Sequence, residues 1–150
     1  MNNTQLMKLD LRAPLIYERA DNITENDFKK ELIGENKEIL LCYALNIQES
    51  RSIEPDQDKF LDSLSFIGRK TPCSAQNAPN SIIVALPAGK YLFNQCRALK
   101  PLDREEWLYI AIEQQKDGLW ERHSPDSRLY VRYLLEDEAF VTQVFRLLKE

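Results

Sequence analysis

At 150 residues, 43% hydrophobic and 29% charged, the chain fits one soluble domain spanning residues 1–150, with room for a substantial apolar core. Acids outnumber bases, 24 to 20, and the net charge of -4 excludes the basic surface that direct nucleic-acid binding would need. No run approaches eighteen apolar residues and no basic segment leads into an apolar one at the start, so neither a membrane span nor export is expected and the location is read as cytoplasmic.

Leu9 to Arg19 reads as a strand bent or interrupted at Pro14. Thr24 is a good N-cap, with Asp27 in the first turn and Ile23 placed to staple against Phe28, so a short helix is expected to Ile33, ended by Gly34. The run Ile39 to Leu45 is a well-buried strand, and Gln48 to Lys59 is an exposed loop. Ser63 to Lys70 supplies a partner strand in which Gly68 marks a bulge or a close backbone approach. Thr71 to Asn80 is a connector, and with it the first half ends.

Ser81 to Leu86 opens the second half as a strand, and Pro87-Ala88-Gly89 breaks it before a further strand from Lys90 to Phe93. Asp103 and Glu106 form a capping box for a helix running to about Gln115. Leu129 to Leu135 and Phe140 to Leu148 form a strand pair across the turn Glu136-Asp137-Glu138. In the first of these, alternation places Leu129, Val131, Tyr133 and Leu135 on one face and Tyr130, Arg132 and Leu134 on the other. Each half thus reads strand, helix, strand, strand, over about residues 9–70 and 81–148. The expected fold is α+β: two βαββ units forming an antiparallel sheet, both helices packed on one face, and a ligand cleft between the halves.

The chemistry-bearing residues are sparse. The single histidine, His123, sits in a charged loop, and no Walker A, GxGxxG, GxSxG or HExxH pattern occurs. Cys42, Cys73 and Cys96 lack metal-ligand spacing and read as reduced thiols. No cofactor and no metal are expected. Among the acids, Glu113 and Glu121 flank the helix end and Trp120, where a carboxylate beside an aromatic surface can hold a cation or donate a proton. Aromatic residues are spread over nearly every element. Tyr17, Tyr43, Phe66, Tyr91, Trp107, Trp120, Val131 and Tyr133 are the candidate lining of a site for a flat, hydrophobic, sparsely polar ligand. Ordinary core packing would use the same residues.

Three local patterns, taken in order, resemble the GyrI-like small-molecule-binding family, which includes effector-binding domains of drug-responsive bacterial transcription regulators. Leu86-Pro87-Ala88-Gly89-Lys90-Tyr91-Leu92-Phe93 is similar to that family's Pro-Ala-(Gly or Gln)-x-Tyr-x-x-Phe segment. Phe66-Ile67-Gly68 resembles its earlier apolar-Gly strand, and Val131-Arg132-Tyr133-Leu134 its Glu-x-Tyr-(Leu or Ile) strand. The resemblance implies a multidrug-type, SHS2-like α+β pocket for hydrophobic, often cationic aromatic compounds. Val131 stands where that family usually holds a buried glutamate, so a neutral ligand is the alternative unless another acid substitutes. No helix-turn-helix accompanies the domain, which reads as a free-standing module for sensing, through a separate regulator protein, or for sequestration. Two other functions remain open: a hydrolase of cyclopropane-bearing alkylating toxins, using a pocket acid such as Glu113 or Glu121, and a protein-interaction inhibitor of the gyrase type.

Overall fold

The computed structural model describes residues 6–20, 38–70, 82–118 and 124–149. Among these described residues eight strands are present: β1 (Met7–Leu11), β2 (Leu15–Arg19), β3 (Glu38–Leu45), β4 (Leu61–Arg69), β5 (Ile83–Leu86), β6 (Gly89–Ala98), β7 (Ser124–Glu136) and β8 (Ala139–Lys149). One α-helix, α1 (Arg104–Gly118), and a short 3-10 turn at Glu49–Arg51 complete the described elements. All strands belong to one sheet in the order β1-β6-β8-β7-β3-β4-β2-β5, and every ladder is antiparallel.

This order overturns the expectation of an α+β fold built from two side-by-side βαββ units. β1 pairs with β6 of the other half, β7 pairs with β3, and β2 pairs with both β4 and β5. The halves are interleaved, so no seam lies between them to hold a ligand cleft. The helix expected from Thr24 to Ile33 lies outside the described residues.

The sheet curls strongly, and the registers show why. Met7↔Phe93 through Leu11↔Gly89 is followed by Leu15↔Leu86 through Glu18↔Ile83, so β1 and β2 run along β6 and β5 as one bent, two-stranded ribbon. Pro14 and Pro87 sit at the bend, where neither strand can donate a ladder hydrogen bond. Gly89 reaches φ 152°, a conformation that side chains rarely adopt, as β6 leaves the corner. β6 continues the sheet through β8, β7, β3 and β4, and β4 returns to β2 at Glu18↔Arg69 and Arg19↔Gly68. A half-barrel results, drawn towards closure by this last, short contact.

Gly68 makes that contact possible. A Cβ built there would lie 2.8 Å from the Cβ of Tyr17 and 3.0 Å from Cγ2 of Val84. Tyr17 Cβ is fixed to the β2 backbone and cannot swing aside. Gly68→Ala is therefore expected to destabilise the fold by about 2 kcal/mol through overpacking, with a matching fall in the urea midpoint; an unchanged midpoint would show that β4 and β2 separate without cost.

Two apolar cores occupy opposite faces of the sheet. The convex face packs on α1 and joins Ile39, Leu41, Tyr43, Leu45, Leu129, Val131, Tyr133 and Val144 to Trp107, Leu108, Ala111 and Ile112. The concave face joins Tyr17, Leu40, Cys42, Leu86, Tyr91, Tyr130, Phe145 and Leu147, with Leu9, Leu11, Leu15, Phe66, Val84 and Phe93 around them. Side chains from both ends of the strand order meet in this second cluster, which only a curled sheet allows. β3 is buried on both faces, and this accounts for its unbroken apolar run.

The helix begins as its capping box dictates: Glu106 N–H donates to Asp103 Oδ1 at 3.0 Å, and Asp103 N–H donates to Glu106 Oε1 at 3.1 Å. Its far end is tied down by the segment between β3 and β4. That segment reads from sequence as exposed, yet Ser50 and Phe60 are buried and Gln115 Nε2 donates to the carbonyls of Glu49 (2.7 Å) and Ser52. The hairpin between β7 and β8 turns through Asp137 (φ 49°) and Glu138 (φ 67°). Among the described residues no helix is long and apolar enough to cross a membrane.

Candidate functional site

The candidate lining residues divide between the two faces. Tyr43, Trp107, Val131 and Tyr133 belong to the helix-side core: Tyr43 and Trp107 rings lie 5.1 Å apart, and Tyr133 Oη donates to the Leu102 carbonyl at 3.0 Å. Tyr17, Phe66 and Tyr91 belong to the concave side. The sheet separates the two groups, so they cannot line one pocket. Glu113 lies on α1, half exposed, 3.9 Å from Lys116 Nζ. Trp120 and Glu121 lie outside the described residues.

The concave face is the richer in polar partners, although its aromatic residues Tyr91, Tyr130 and Phe145 are themselves buried. Its centre is aromatic: Tyr91 meets Tyr130 edge-on at 6.3 Å and Phe145 at 5.7 Å, while Phe93 stacks on Phe145 at 5.4 Å. Tyr91 Oη donates to the Pro87 carbonyl at 2.5 Å, which ties the ring to the corner of the ribbon. Burial pushes the hydroxyls of Tyr17, Tyr91 and Tyr130 well above the ordinary tyrosine range and the Cys42 thiol up to about 11. Cys42 is therefore a protonated, poorly nucleophilic thiol at neutral pH.

Along one side of this aromatic patch runs a polar row that the sequence did not single out. Register places Leu40 beside Arg132, Arg132 beside Gln143, and Gln143 beside Gln95, so three polar side chains on three adjacent strands share one inward-facing line. Arg132 Nη2 and Nε reach Glu38 Oε2 at 3.0 and 3.1 Å, and its Nε also approaches Tyr17 Oη at 3.0 Å. Tyr17 Oη donates to the same Glu38 oxygen. The pair is partly screened, with side-chain exposures of 18% and 14%, which makes it a fixed zwitterion on the wall.

From Arg132 the hydrogen bonds have a forced direction. A guanidinium only donates, so the Gln143 atom 2.9 Å from Nη1 must be Oε1, and Gln143 faces its neighbour with its NH2 group. That NH2 lies 2.7 Å from Gln95 Oε1, so Gln95 in turn presents its own NH2 outwards. The row begins at a charge and ends in an exposed donor. One signal for it was available in the sequence, since Arg132 shares a face with Tyr130 and Leu134. Its partners Glu38, Gln143 and Gln95 come together only through register.

Among the described residues no cluster of three His, Cys, Asp or Glu side chains is arranged to hold a metal ion. No family model matches this chain, and no curated protein matches its sequence.

Proposed function

We propose that the protein is a small-molecule-binding module whose ligand is a hydrophobic, flat, uncharged compound bearing a hydrogen-bond acceptor, taken up on the concave face for sensing or sequestration. The observation that carries this reading is the oriented row Arg132, Gln143, Gln95, whose last member is exposed and lies two residues from Phe93 on the same strand. An apolar surface with a few fixed polar groups is what such ligands require. Glu38 and Asp126, which both act on the tyrosines or the thiol of this face, are engaged by Arg132 and Arg128 at 3.0 and 2.9 Å, so neither stands as an unpaired negative charge to select a cation. The same engagement gives no support to a hydrolytic reading, which needs an acid able to donate. Support for the proposal comes from this face, and the side-by-side units implied by the GyrI-like resemblance add nothing to it.

The test is a titration with size-matched neutral and cationic aromatics, each with and without a carbonyl, followed through the side-chain amide signals of Gln95 and Gln143. Saturable shifts are expected with neutral carbonyl compounds, and Gln95→Leu should weaken them about tenfold, the loss of one hydrogen bond of about 1.4 kcal/mol. Cations binding more tightly than their neutral counterparts would overturn the assignment of ligand class. Absence of any saturable shift would overturn the binding function itself.

A further inference from the structure

The sheet has two edge strands, and the chain treats them differently. β1, Met-Lys-Leu-Asp-Leu, places the exposed charges of Lys8 and Asp10 on one edge, a common defence against unwanted strand pairing. β5, Ile-Val-Ala-Leu, carries no charge, no proline and no bulge. Among the described residues it pairs with β2 on one side only. Beside that bare edge, Ile16, Ile82 and Ile83 are 48%, 50% and 58% exposed.

The backbone phase of the free edge follows from one hydrogen bond. Arg19 N–H donates to the Ile82 carbonyl at 2.8 Å, so Ile82 directs its peptide groups towards β2. Backbone groups alternate along a strand, and Val84 therefore points the same way while Ile83 and Ala85 point outwards. Among the described residues these outward groups have no partner.

We propose that β5 is the seam of a homodimer, in which the β5 strands of two copies pair antiparallel about a two-fold axis at Val84. In this register Ile83 faces the partner copy's residue 85 and Ala85 faces its residue 83, and each hydrogen-bonded pair exchanges two bonds, giving about four in all. On the outer face every large side chain meets a small one: the isoleucine of one copy lies beside the alanine of the other, with Ile16 next in the row. The edge matches itself. An unrelated peptide would gain the backbone bonds without this matching of large and small side chains.

Charge also favours a second copy. The seam strand itself carries no charge, and Glu18, which lies opposite Ile83, is already paired with Arg69 at 3.3 Å. No like charges are forced together there despite the net charge of -4. A strand of four residues a side buries less than the roughly 1,200 Å² at which stable interfaces begin, so the dimer is weak and depends on concentration.

Sedimentation of the full chain from low micromolar to about 1 mM tests this, that range spanning the dissociation constants of weak complexes. The weight-average mass should climb towards that of a dimer, and Ile83→Lys should weaken association at least tenfold by placing like charges in the seam. Hydrogen exchange on the unaltered protein supplies a second reading: amides of Ile83 and Ala85 should gain protection with concentration. A wild-type mass that stays monomeric at the top of the range overturns the proposal. So does a dimer formed without protection of those two amides, or one that Ile83→Lys, still folded, leaves unchanged.

Discussion

Alkali is expected to unfold this protein, its stability beginning to fall just above pH 9 and falling steeply above pH 10. Tyr17, Tyr91, Tyr130 and Cys42 all lie in the concave core, none more than 2% exposed, and burial is the largest cause of the raised pKa of each. In the unfolded chain the thiol loses its proton near its ordinary value of 9.0 and the phenols near 10.0. Groups with raised folded-state values stabilise the fold fully below those unfolded values, and their contribution is lost as pH rises towards the folded ones. Each such proton makes stability fall by up to about 1.4 kcal/mol per pH unit, so four together reach roughly 5 kcal/mol per unit. Against a typical total of about 5–15 kcal/mol, one to three units suffice for unfolding. Urea melts at closely spaced pH values would show the steepening, and Tyr130→Phe should reduce the slope by about one proton. A stability flat to pH 11 would mean that these hydroxyls ionise within the fold, and hence that the concave face admits water freely.

Removing Arg146 should cost nearly as much at neutral pH. Its side chain is fully buried on the helix side of β8 and reaches three other elements: Nε donates to the Asp126 carbonyl at 2.7 Å, Nη1 to Gln115 Oε1 at 2.9 Å, and Nη2 to the Ser50 carbonyl at 3.0 Å. Phe60 lies under the guanidinium, 5.8 Å from its ring centre. Burial lowers the pKa of the guanidinium, yet it stays charged at neutral pH, with Asp126 acting in its favour. Two of the three acceptors are backbone carbonyls that no compensating change can remove. Arg146→Ala leaves all three buried acceptors unmatched and opens a cavity, a loss of about 4 kcal/mol and roughly 10 °C in Tm. Arg146→Met refills part of the volume but satisfies none of the carbonyls, so it should recover less than half of that loss. Full recovery in the methionine variant, measured by thermal unfolding, would show that volume rather than hydrogen bonding is what Arg146 contributes.

The local elements were legible because their signals are local. The Asp103–Glu106 box starts a helix at Arg104, Pro14 interrupts a strand, and Gly68 does mark a close backbone approach. Alternation also separated Val131 and Tyr133 from Tyr130 and Arg132, as their two cores confirm. What it could not reveal is which face a helix would cover, so Tyr43 and Tyr91 entered one candidate site although the sheet lies between them. Pairing was hidden for a similar reason. The strand-helix-strand-strand order of the halves suggested that each closed on itself, whereas Leu9 lies beside Tyr91 and Leu41 beside Val131. The polar row depends on the same long-range register, since nothing near Gln95 in the chain indicates Gln143 or Arg132. Arg146 followed the same pattern: taken alone it resembles a solvated strand residue, and only the docking of Ser50 and Gln115 around it makes it a buried one.

The bent ribbon also sets an order of events during synthesis. Met7 to Leu11 has one strand partner among the described residues, Gly89 to Phe93, and Leu15 to Arg19 pairs only with β4 and β5. A ribosome therefore releases the first strand long before its partner exists, and the bare edge it needs is made in the second half of translation. The hairpin of β7 and β8 carries the opposite schedule, because its strands are adjacent in the chain and can pair as soon as both emerge. Met7 to Leu11 thus waits for Gly89 to Phe93 to be made before it can join the sheet.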